Sequence, residues 1–169
     1  MRVVSGELRG RRIVAPAGRA TRPTTDKVRE AIFNSLGSLD VVAGSHVADL
    51  YAGSGAVGIE ALSRGAQHCT FVERDRDALR ALRANLETLG LVDRSRVVAG
   101  DVMAVAAAID ADPVFADPPY DFAAWDRLLG AVRARFVVAE SGGELVAPDG
   151  WEITRSRRYG RTWVTFLER

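Results

Sequence analysis

Cysteine is nearly absent from this chain: Cys69 is the only one, which excludes an internal disulfide framework. A lone thiol suits a reducing compartment, so we expect a cytoplasmic protein. No long apolar run follows the first residues, and no apolar stretch has the length of a membrane span, so neither a secretory signal nor a membrane anchor is predicted. No cluster of His and Cys residues indicates a metal site.

Lysine and excess charge are also scarce, because Lys27 is the only lysine and the formal net charge is +1. Overall charge therefore does not indicate a nucleic-acid binder, and only local clusters can. The N-terminal cluster sets six arginines against one acid, Glu7, and predicts an arm that contacts phosphates; its arginines are Arg2, Arg9, Arg11, Arg12, Arg19 and Arg22. A second cluster is equally consistent with phosphate contact or with solvated surface, and comprises Arg155, Arg157, Arg158 and Arg161.

The 169 residues fit one folded unit, in which two parts differ in composition and hydrophobic pattern. Residues 1–40 form an Arg- and Gly-rich extension, and residues 41–169 alternate short apolar runs with helical patterns. In the extension, two β-type runs around a Gly-containing connection predict a β-hairpin. Thr25 or Asp26 can then cap a helix that begins near Lys27.

The larger part predicts an α/β fold with a mostly parallel, seven-stranded sheet and helices on both faces. Its predicted helices run to about Arg64, from the Asp75 cap to Gly90, over Val102–Ile109 and over Trp125–Arg135. The predicted strands are His46–Tyr51, His68–Val72, Val97–Ala99, Val114–Ala116, Phe136–Ala139 and an antiparallel closing pair, Trp151–Ser156 and Thr162–Leu167.

A glycine-rich turn follows the first predicted strand. Gly53, Gly55 and Gly58 match G-x-G-x-x-G, which alone also fits dinucleotide binding or a turn without a ligand. Asp49, just before the glycines, suits the amino group of S-adenosylmethionine (SAM) and would repel a pyrophosphate. We therefore predict a SAM-binding loop that also includes Tyr51 and Ser54.

Acidic residues follow the next two strands as well. Glu73 can accept hydrogen bonds from ribose hydroxyls, although a solvated charge is an equally good interpretation. Asp101 can bind an adenine amino group, with the Val102 amide on the ring. A helix N-cap is an equally good role for Asp101.

The most specific motif is Asp117-Pro118-Pro119-Tyr120, after the fourth strand. The prolines stiffen the turn, and the Pro118 carbonyl and Asp117 supply two acceptors for an amino group. Such acceptors orient an amine that is otherwise a weak nucleophile. Tyr120 offers a face on which a flat base can stack, and Pro119 and Phe122 are placed to contact the same substrate, although Phe122 is equally suited to the core.

With these motifs the chain resembles class I SAM-dependent methyltransferases, and more closely the RsmD-like 16S rRNA guanine-N2 methyltransferases. The resemblance rests on Arg2–Gly6 with Leu8–Arg11, on Arg22–Asn34, on Asp49–Gly55 and on the D-P-P-Y motif. It implies a Rossmann-like methyltransferase fold and methyl transfer from SAM to the N2 amine of one guanine, nucleotide 966 in the usual numbering. It implies a substrate in the small ribosomal subunit or a late assembly intermediate. We expect a monomer, with Thr25 near the carboxylate end of SAM unless it only caps the helix.

Three alternative functions compete with this prediction. D-P-P-Y also serves adenine-N6 methylation of DNA, but the chain is short for a separate DNA-recognition domain. A nicotinamide-dependent oxidoreductase would use the glycine turn, but Asp49 and Asp117 argue against it. An RNA-binding assembly factor without activity is disfavoured because the acceptors Asp117 and Pro118 are intact.

Overall fold

The computed structural model describes residues 1–16 and 26–169. Within these residues, seven strands form one sheet in the order β3-β2-β1-β4-β5-β7-β6. The first five strands are parallel, and β7 lies antiparallel between β5 and β6. The strands are β1 (His46–Leu50), β2 (His68–Glu73), β3 (Ser95–Ala99), β4 (Val114–Ala116), β5 (Phe136–Ser141), β6 (Glu152–Tyr159) and β7 (Thr162–Glu168). The prediction of a mostly parallel α/β sheet is confirmed.

Helices cover both faces of the sheet. The helices are α1 (Asp26–Gly37), α2 (Ala56–Ser63), α3 (Arg76–Leu89), α4 (Val102–Val105) and α5 (Trp125–Ala131). The first three contribute Phe33, Ile59 and Leu82 to one buried cluster, which also contains Phe71 of β2. The last two pack on the opposite face, where Leu128 meets strand residues such as Val72. Adjacent residues of one strand thus enter different cores, as the alternation of side chains in a strand requires.

Local sequence explains the bounds of α3. The Asp75 carboxylate accepts hydrogen bonds from the amides of Asp77 and Ala78, as an N-cap does. At the other end, Gly90 adopts a left-handed conformation with φ 69°. Both predicted boundaries of this helix are therefore confirmed. Helix α5 is shorter than predicted, since Val132 is already extended.

The N-terminal segment differs from the predicted β-hairpin. A single antiparallel bridge joins Arg2 and Arg12 in place of two regular strands. The connection turns tightly, with Gly6 at φ 84° and Gly10 at φ 81°. Its amides bond elsewhere: Glu7 N donates to the Ser63 carbonyl at 2.8 Å and Leu8 N to the Ser63 hydroxyl at 3.0 Å. The two runs still pair, since Val3 N donates to the Arg11 carbonyl at 2.9 Å and Ile13 N to the Met1 carbonyl at 3.0 Å. The segment is therefore an irregular hairpin whose connection is held by α2.

The strand order reverses between β1 and β4, so a crevice opens at their carboxyl ends. The predicted cofactor and substrate residues follow the strands at this edge. In residues 1–16 and 26–169, no helix has the length and apolar character needed to cross a bilayer.

Candidate active site

A cavity of about 610 Å³ opens at the carboxyl edge of the sheet. Its volume is typical of a small-molecule site. Residues that follow β1, β2, β3 and β4 line it together: Tyr51, Val72, Glu73, Arg74, Asp75, Gly100, Asp101, Val102, Asp117, Pro118, Pro119 and Tyr120. The structure thus brings two of the predicted cofactor acids, Glu73 and Asp101, and the D-P-P-Y motif to one cavity. Asp49 and the loop residues Gly53, Ser54 and Gly55 do not line it.

The glycine loop is fixed to the sheet at Gly58. The Gly58 amide donates to the Asp49 carboxylate at 2.9 Å. A Cβ at this position would lie 2.3 Å from a ring carbon of Phe71 and 2.6 Å from the Cys69 sulfur. Only glycine allows α2 to approach β2 this closely. Cys69 is fully buried where α2 packs on β2.

Asp49 is a buried carboxyl group at the end of β1, with 4% of its surface exposed. Burial, opposed by the Gly58 hydrogen bond and aided by the charges of Asp117 and Glu73, raises the pKa of Asp49 to about 8. Asp49 also lines a small cavity of about 10 Å³ together with Asp117 and Glu140. A cationic group near these three carboxyls would favour their ionised forms.

Glu73 organises the backbone around the cavity. One carboxylate oxygen accepts from Gly53 N at 2.8 Å, and the other accepts from the amides of Arg74 at 2.7 Å and Asp75 at 2.8 Å. Glu73 thereby connects the end of β2 to the glycine loop. It still lines the cavity, so ribose contact remains a prediction beside this structural role.

Asp101 caps α4, as one of its two predicted roles requires. Its carboxylate accepts from Met103 N at 2.8 Å and forms an ion pair with Arg74 at 2.8 Å. Both side chains remain substantially exposed and line the cavity. Arg74 is a cavity residue that the sequence analysis did not select, because an arginine within a run of charges gives no distinctive pattern.

The D-P-P-Y turn leaves one proline carbonyl available. The Pro119 carbonyl accepts from Phe122 N at 2.9 Å and closes the turn. Among the described residues, the Pro118 carbonyl accepts no hydrogen bond, and Pro118 lines the cavity. The Tyr120 hydroxyl lies 3.1 Å from the Thr162 hydroxyl at the start of β7, while 44% of Tyr120 stays exposed. The turn can therefore present an acceptor and an aromatic face side by side.

Aromatic packing supports the floor of the site. Phe122 contacts both Tyr51 and Trp125 edge-on, with ring centroids 5.8 Å and 5.2 Å apart. Phe122 therefore takes part in packing, and its contact with substrate remains a prediction. Burial, with a smaller contribution from the charge of Asp101, raises the pKa of Tyr51 to about 12, so its hydroxyl remains protonated.

The cavity suits a ligand that has hydroxyl and amino groups and a flat ring. Acceptors are present at Glu73, Asp101 and Asp117, and the Tyr51 hydroxyl is buried without a hydrogen-bond partner among the described residues. Such a buried donor is costly unless a ligand pairs with it. This set of groups fits SAM, which offers an amino group, ribose hydroxyls and an adenine.

The arginine-rich N-terminal arm lies outside this cavity. Arg2, Arg9, Arg11 and Arg12 are exposed, and Arg11 donates to the Thr88 carbonyl at 3.1 Å. Glu7, the one acid of the segment, pairs with Arg94 at 2.5 Å. The remaining predicted contacts Thr25 and Arg22 lie outside the described residues.

Glu140 is a candidate site residue that the sequence analysis missed. It is the penultimate residue of β5 and is buried, with 4% of its surface exposed. It lines the small cavity together with Asp49 and Asp117. An acidic residue near the carboxyl end of a strand is the pattern that predicts the other site acids, and it also applies to Glu140. The predicted strand stopped at Ala139, one residue short of it.

The fold and the site define the class: this is a Rossmann-like α/β protein with the architecture of class I methyltransferases. A family model described as Conserved hypothetical protein 95 matches residues 1–168, and the chain belongs to that family. YlbH of Bacillus subtilis, a candidate rRNA methyltransferase, is 40% identical over an alignment of 184 positions, which covers 100% of this chain and 99% of YlbH.

A curated sequence and a solved structure from Escherichia coli are also similar to this chain. Ribosomal RNA small subunit methyltransferase D is 41% identical over 122 residues, which cover 71% of this chain and 60% of that protein. The structure of YhhF, a candidate methyltransferase, superimposes with a TM-score of 0.84 and 34% identity, covering 100% of this chain and 97% of YhhF. The resemblance to the RsmD-like family is thus confirmed.

Proposed function

We propose that this protein methylates ribosomal RNA, transferring a methyl group from SAM to the exocyclic N2 amine of a guanine in 16S rRNA. The observation that carries the proposal is the convergence of the D-P-P-Y acceptors and the acidic strand ends on one cavity. The names of the relatives support RNA as the substrate class. The finer assignment, nucleotide 966 in the small subunit or a late assembly intermediate, follows the family resemblance.

Glu73 and Asp101 are the residues that would hold the ribose and adenine of SAM. Asp49 would pair with its amino group, and the loop of Gly53, Ser54 and Gly55 would contact the cofactor through its backbone. The Val102 amide and the Tyr51 hydroxyl supply donors on the same cavity. When bound, SAM supplies an electrophilic methyl group, because the positively charged sulfur that carries it is a good leaving group.

The substrate amine is prepared by the D-P-P-Y turn. Asp117 and the Pro118 carbonyl accept hydrogen bonds from its two N–H groups, so that its lone pair is held in one direction. Tyr120 stacks on the base, which must leave its own stack to enter the site. After transfer the nitrogen loses a proton to Asp117 or to water, and no covalent intermediate forms on the enzyme.

Residues 1–40 act in this proposal as an RNA-contacting extension of the domain formed by residues 41–169. The exposed arginines of the arm suit phosphates because guanidinium groups pair with them in a bidentate manner. Their contacts fix the position of the RNA without reading its sequence.

The acceptor role of Asp117 gives a direct test. Purified wild-type protein and the Asp117→Ala variant are incubated with methyl-labelled SAM and small ribosomal subunits from a strain that lacks the enzyme. We expect transfer by the wild type and a loss of roughly 100-fold or more in kcat for the variant. Circular dichroism and SAM affinity serve as controls for folding. Equal rates for both proteins would contradict the proposed site.

A further inference from the structure

The turn between β6 and β7 lies beside the position proposed for the target base. In the sheet register, Ser141 at the carboxyl end of β5 pairs with Trp163, and Tyr159 pairs with Thr162. The turn is therefore at the same edge as the cavity. The hydrogen-bond distance of 3.1 Å between the hydroxyls of Thr162 and Tyr120 joins the turn to the D-P-P-Y motif directly.

This turn has a defined shape. Two residues, Gly160 and Arg161, connect the strands, and Gly160 has φ 61°. Glycine at the first central position is the signature of a tight two-residue hairpin turn. Arg158 adds a second restraint, because its Nε donates to the Gly160 carbonyl at 2.9 Å. The turn thus presents its arginines from a short, hydrogen-bonded support.

The charge on this hairpin is of one sign. No acidic residue occurs between Glu152 and Glu168, whereas the segment has four arginines, Arg155, Arg157, Arg158 and Arg161. Arg155 is engaged with the Ser35 hydroxyl at 2.9 Å. Arg157 and Arg161 are exposed and make no side-chain hydrogen bond among the described residues. A basic, exposed turn beside a base site fits a phosphate backbone.

In residues 1–16, the tip of the N-terminal arm lies away from this position. Arg11, near the tip of the arm, contacts Thr88 at the carboxyl end of α3, whereas Asp75 at the other end of α3 lines the cavity. Helix α3 has 14 residues, which at 1.5 Å per residue is about 20 Å. The tip of the arm would therefore contact RNA some distance from the target base.

We infer that the β6–β7 turn is a second RNA-binding element, in which Arg157 and Arg161 contact the phosphates that flank the target nucleotide. Thr162 acts as a positioning residue that holds the Tyr120 ring against the extruded base. This inference rests on the proposed function for its substrate, an RNA. It explains why a basic turn and a base-stacking ring are joined by a hydrogen bond.

The test compares the double variant Arg157→Gln/Arg161→Gln with Arg133→Gln. Arg133 is an exposed arginine between α5 and β5, at the opposite edge of the sheet, and is the matched control. Fluorescence anisotropy measures the Kd for a hairpin RNA with a guanine in its loop over a series of KCl concentrations. Steady-state methylation of small subunits gives KM and kcat.

We expect the double variant to bind RNA roughly ten-fold more weakly, and its log Kd to depend less steeply on log[KCl] by about 1.4, or about 0.7 per lost phosphate contact. The KM for subunits should rise similarly, while kcat, SAM affinity and the Arg133→Gln control stay unchanged. An unchanged salt slope in the double variant would overturn the inference. A raised KM for subunits with unchanged RNA affinity would also overturn it, because the arginines would then contact a ribosomal protein.

The binding measurement separates this inference from the proposed function. Wild-type protein that binds the RNA but transfers no methyl group contradicts the proposed function alone. Wild-type protein that methylates subunits, with an unchanged Kd in the double variant, contradicts the role of the turn alone.

Discussion

At the residue scale, Asp49 is a buried carboxyl group whose protonation we expect to change when SAM binds. Its pKa lies at about 8 in the fold against an ordinary value of 3.8. Because the folded value is the higher one, Asp49 favours the fold most below pH 3.8, and this contribution is lost as the pH rises through about 8. Near pH 6.5 the carboxyl is therefore mostly protonated in the free protein.

A cation placed next to Asp49 would reverse that preference. We predict that SAM binding at pH 6.5 releases close to one proton, since the amino group of SAM stabilises the carboxylate. Calorimetric titrations in buffers of different ionisation enthalpy measure the number released. The Asp49→Asn variant should release none and bind more weakly, whereas wild-type binding without proton release would argue against this contact.

Tyr120 has a proposed role in base stacking and an observed hydrogen bond to Thr162, and substitutions can separate the two. Tyr120→Ala removes the stacking face and should lower kcat/KM by roughly 5- to 150-fold, the equivalent of about 1–3 kcal/mol of stacking. Tyr120→Phe keeps the ring and loses only the Thr162 hydrogen bond, so its loss should be several-fold smaller. Steady-state kinetics on small subunits gives both values. Equal effects of the two substitutions would mean that the hydroxyl, not the ring, contributes to the reaction.

At the element scale, the N-terminal arm is attached through one buried carboxylate. Glu60 of α2 accepts from the amides of Val4 at 2.8 Å and Ser5 at 2.9 Å. The same carboxylate pairs with Arg29 of α1 at 3.3 Å and with Arg64 at 2.8 Å. Arg29 also donates to the Arg2 carbonyl. Three elements, the arm, α1 and α2, therefore share one polar centre in the core.

Loss of this centre should destabilise the protein as a whole. Glu60→Ala leaves the fully buried Arg29 without its Glu60 partner, and we predict a decrease of about 3–5 kcal/mol in the free energy of unfolding. Urea unfolding followed by circular dichroism provides the value. Glu87→Ala, on the exposed face of α3, is the matched control and should change stability by less than about 0.5 kcal/mol. A decrease below about 1 kcal/mol for Glu60→Ala would contradict the role of this centre.

At the scale of the whole molecule, the sequence predicts the fold well wherever local signals agree. The caps at Asp75 and Gly90 determine α3, and the alternation of strands with helices determines the sheet. Glu73, Asp101 and Asp117 line one cavity, as predicted, because the carboxyl ends of parallel strands share an edge. The family resemblance, and not the spacing of residues, is what predicts rRNA as the substrate class.

Contacts between distant segments are what the sequence does not predict. The runs expected to form the N-terminal hairpin do pair, with Val3 N on the Arg11 carbonyl and Ile13 N on the Met1 carbonyl. The attachment of their connection to Ser63 of α2 is not visible in the sequence. The Tyr120–Thr162 hydrogen bond spans 42 residues and depends on the place of β7 between β5 and β6. Such pairings depend on the order of the strands in the sheet, which local sequence patterns do not predict.

The central claim is that the cavity directs methyl transfer to an exocyclic guanine amine of rRNA. The most direct measurement incubates the protein with methyl-labelled SAM and small subunits from a strain lacking the enzyme, then identifies the labelled nucleotide by nuclease digestion and mass spectrometry. The account predicts a single N2-methylguanine in 16S rRNA. Label on an adenine, on a ring nitrogen or on protein would contradict it.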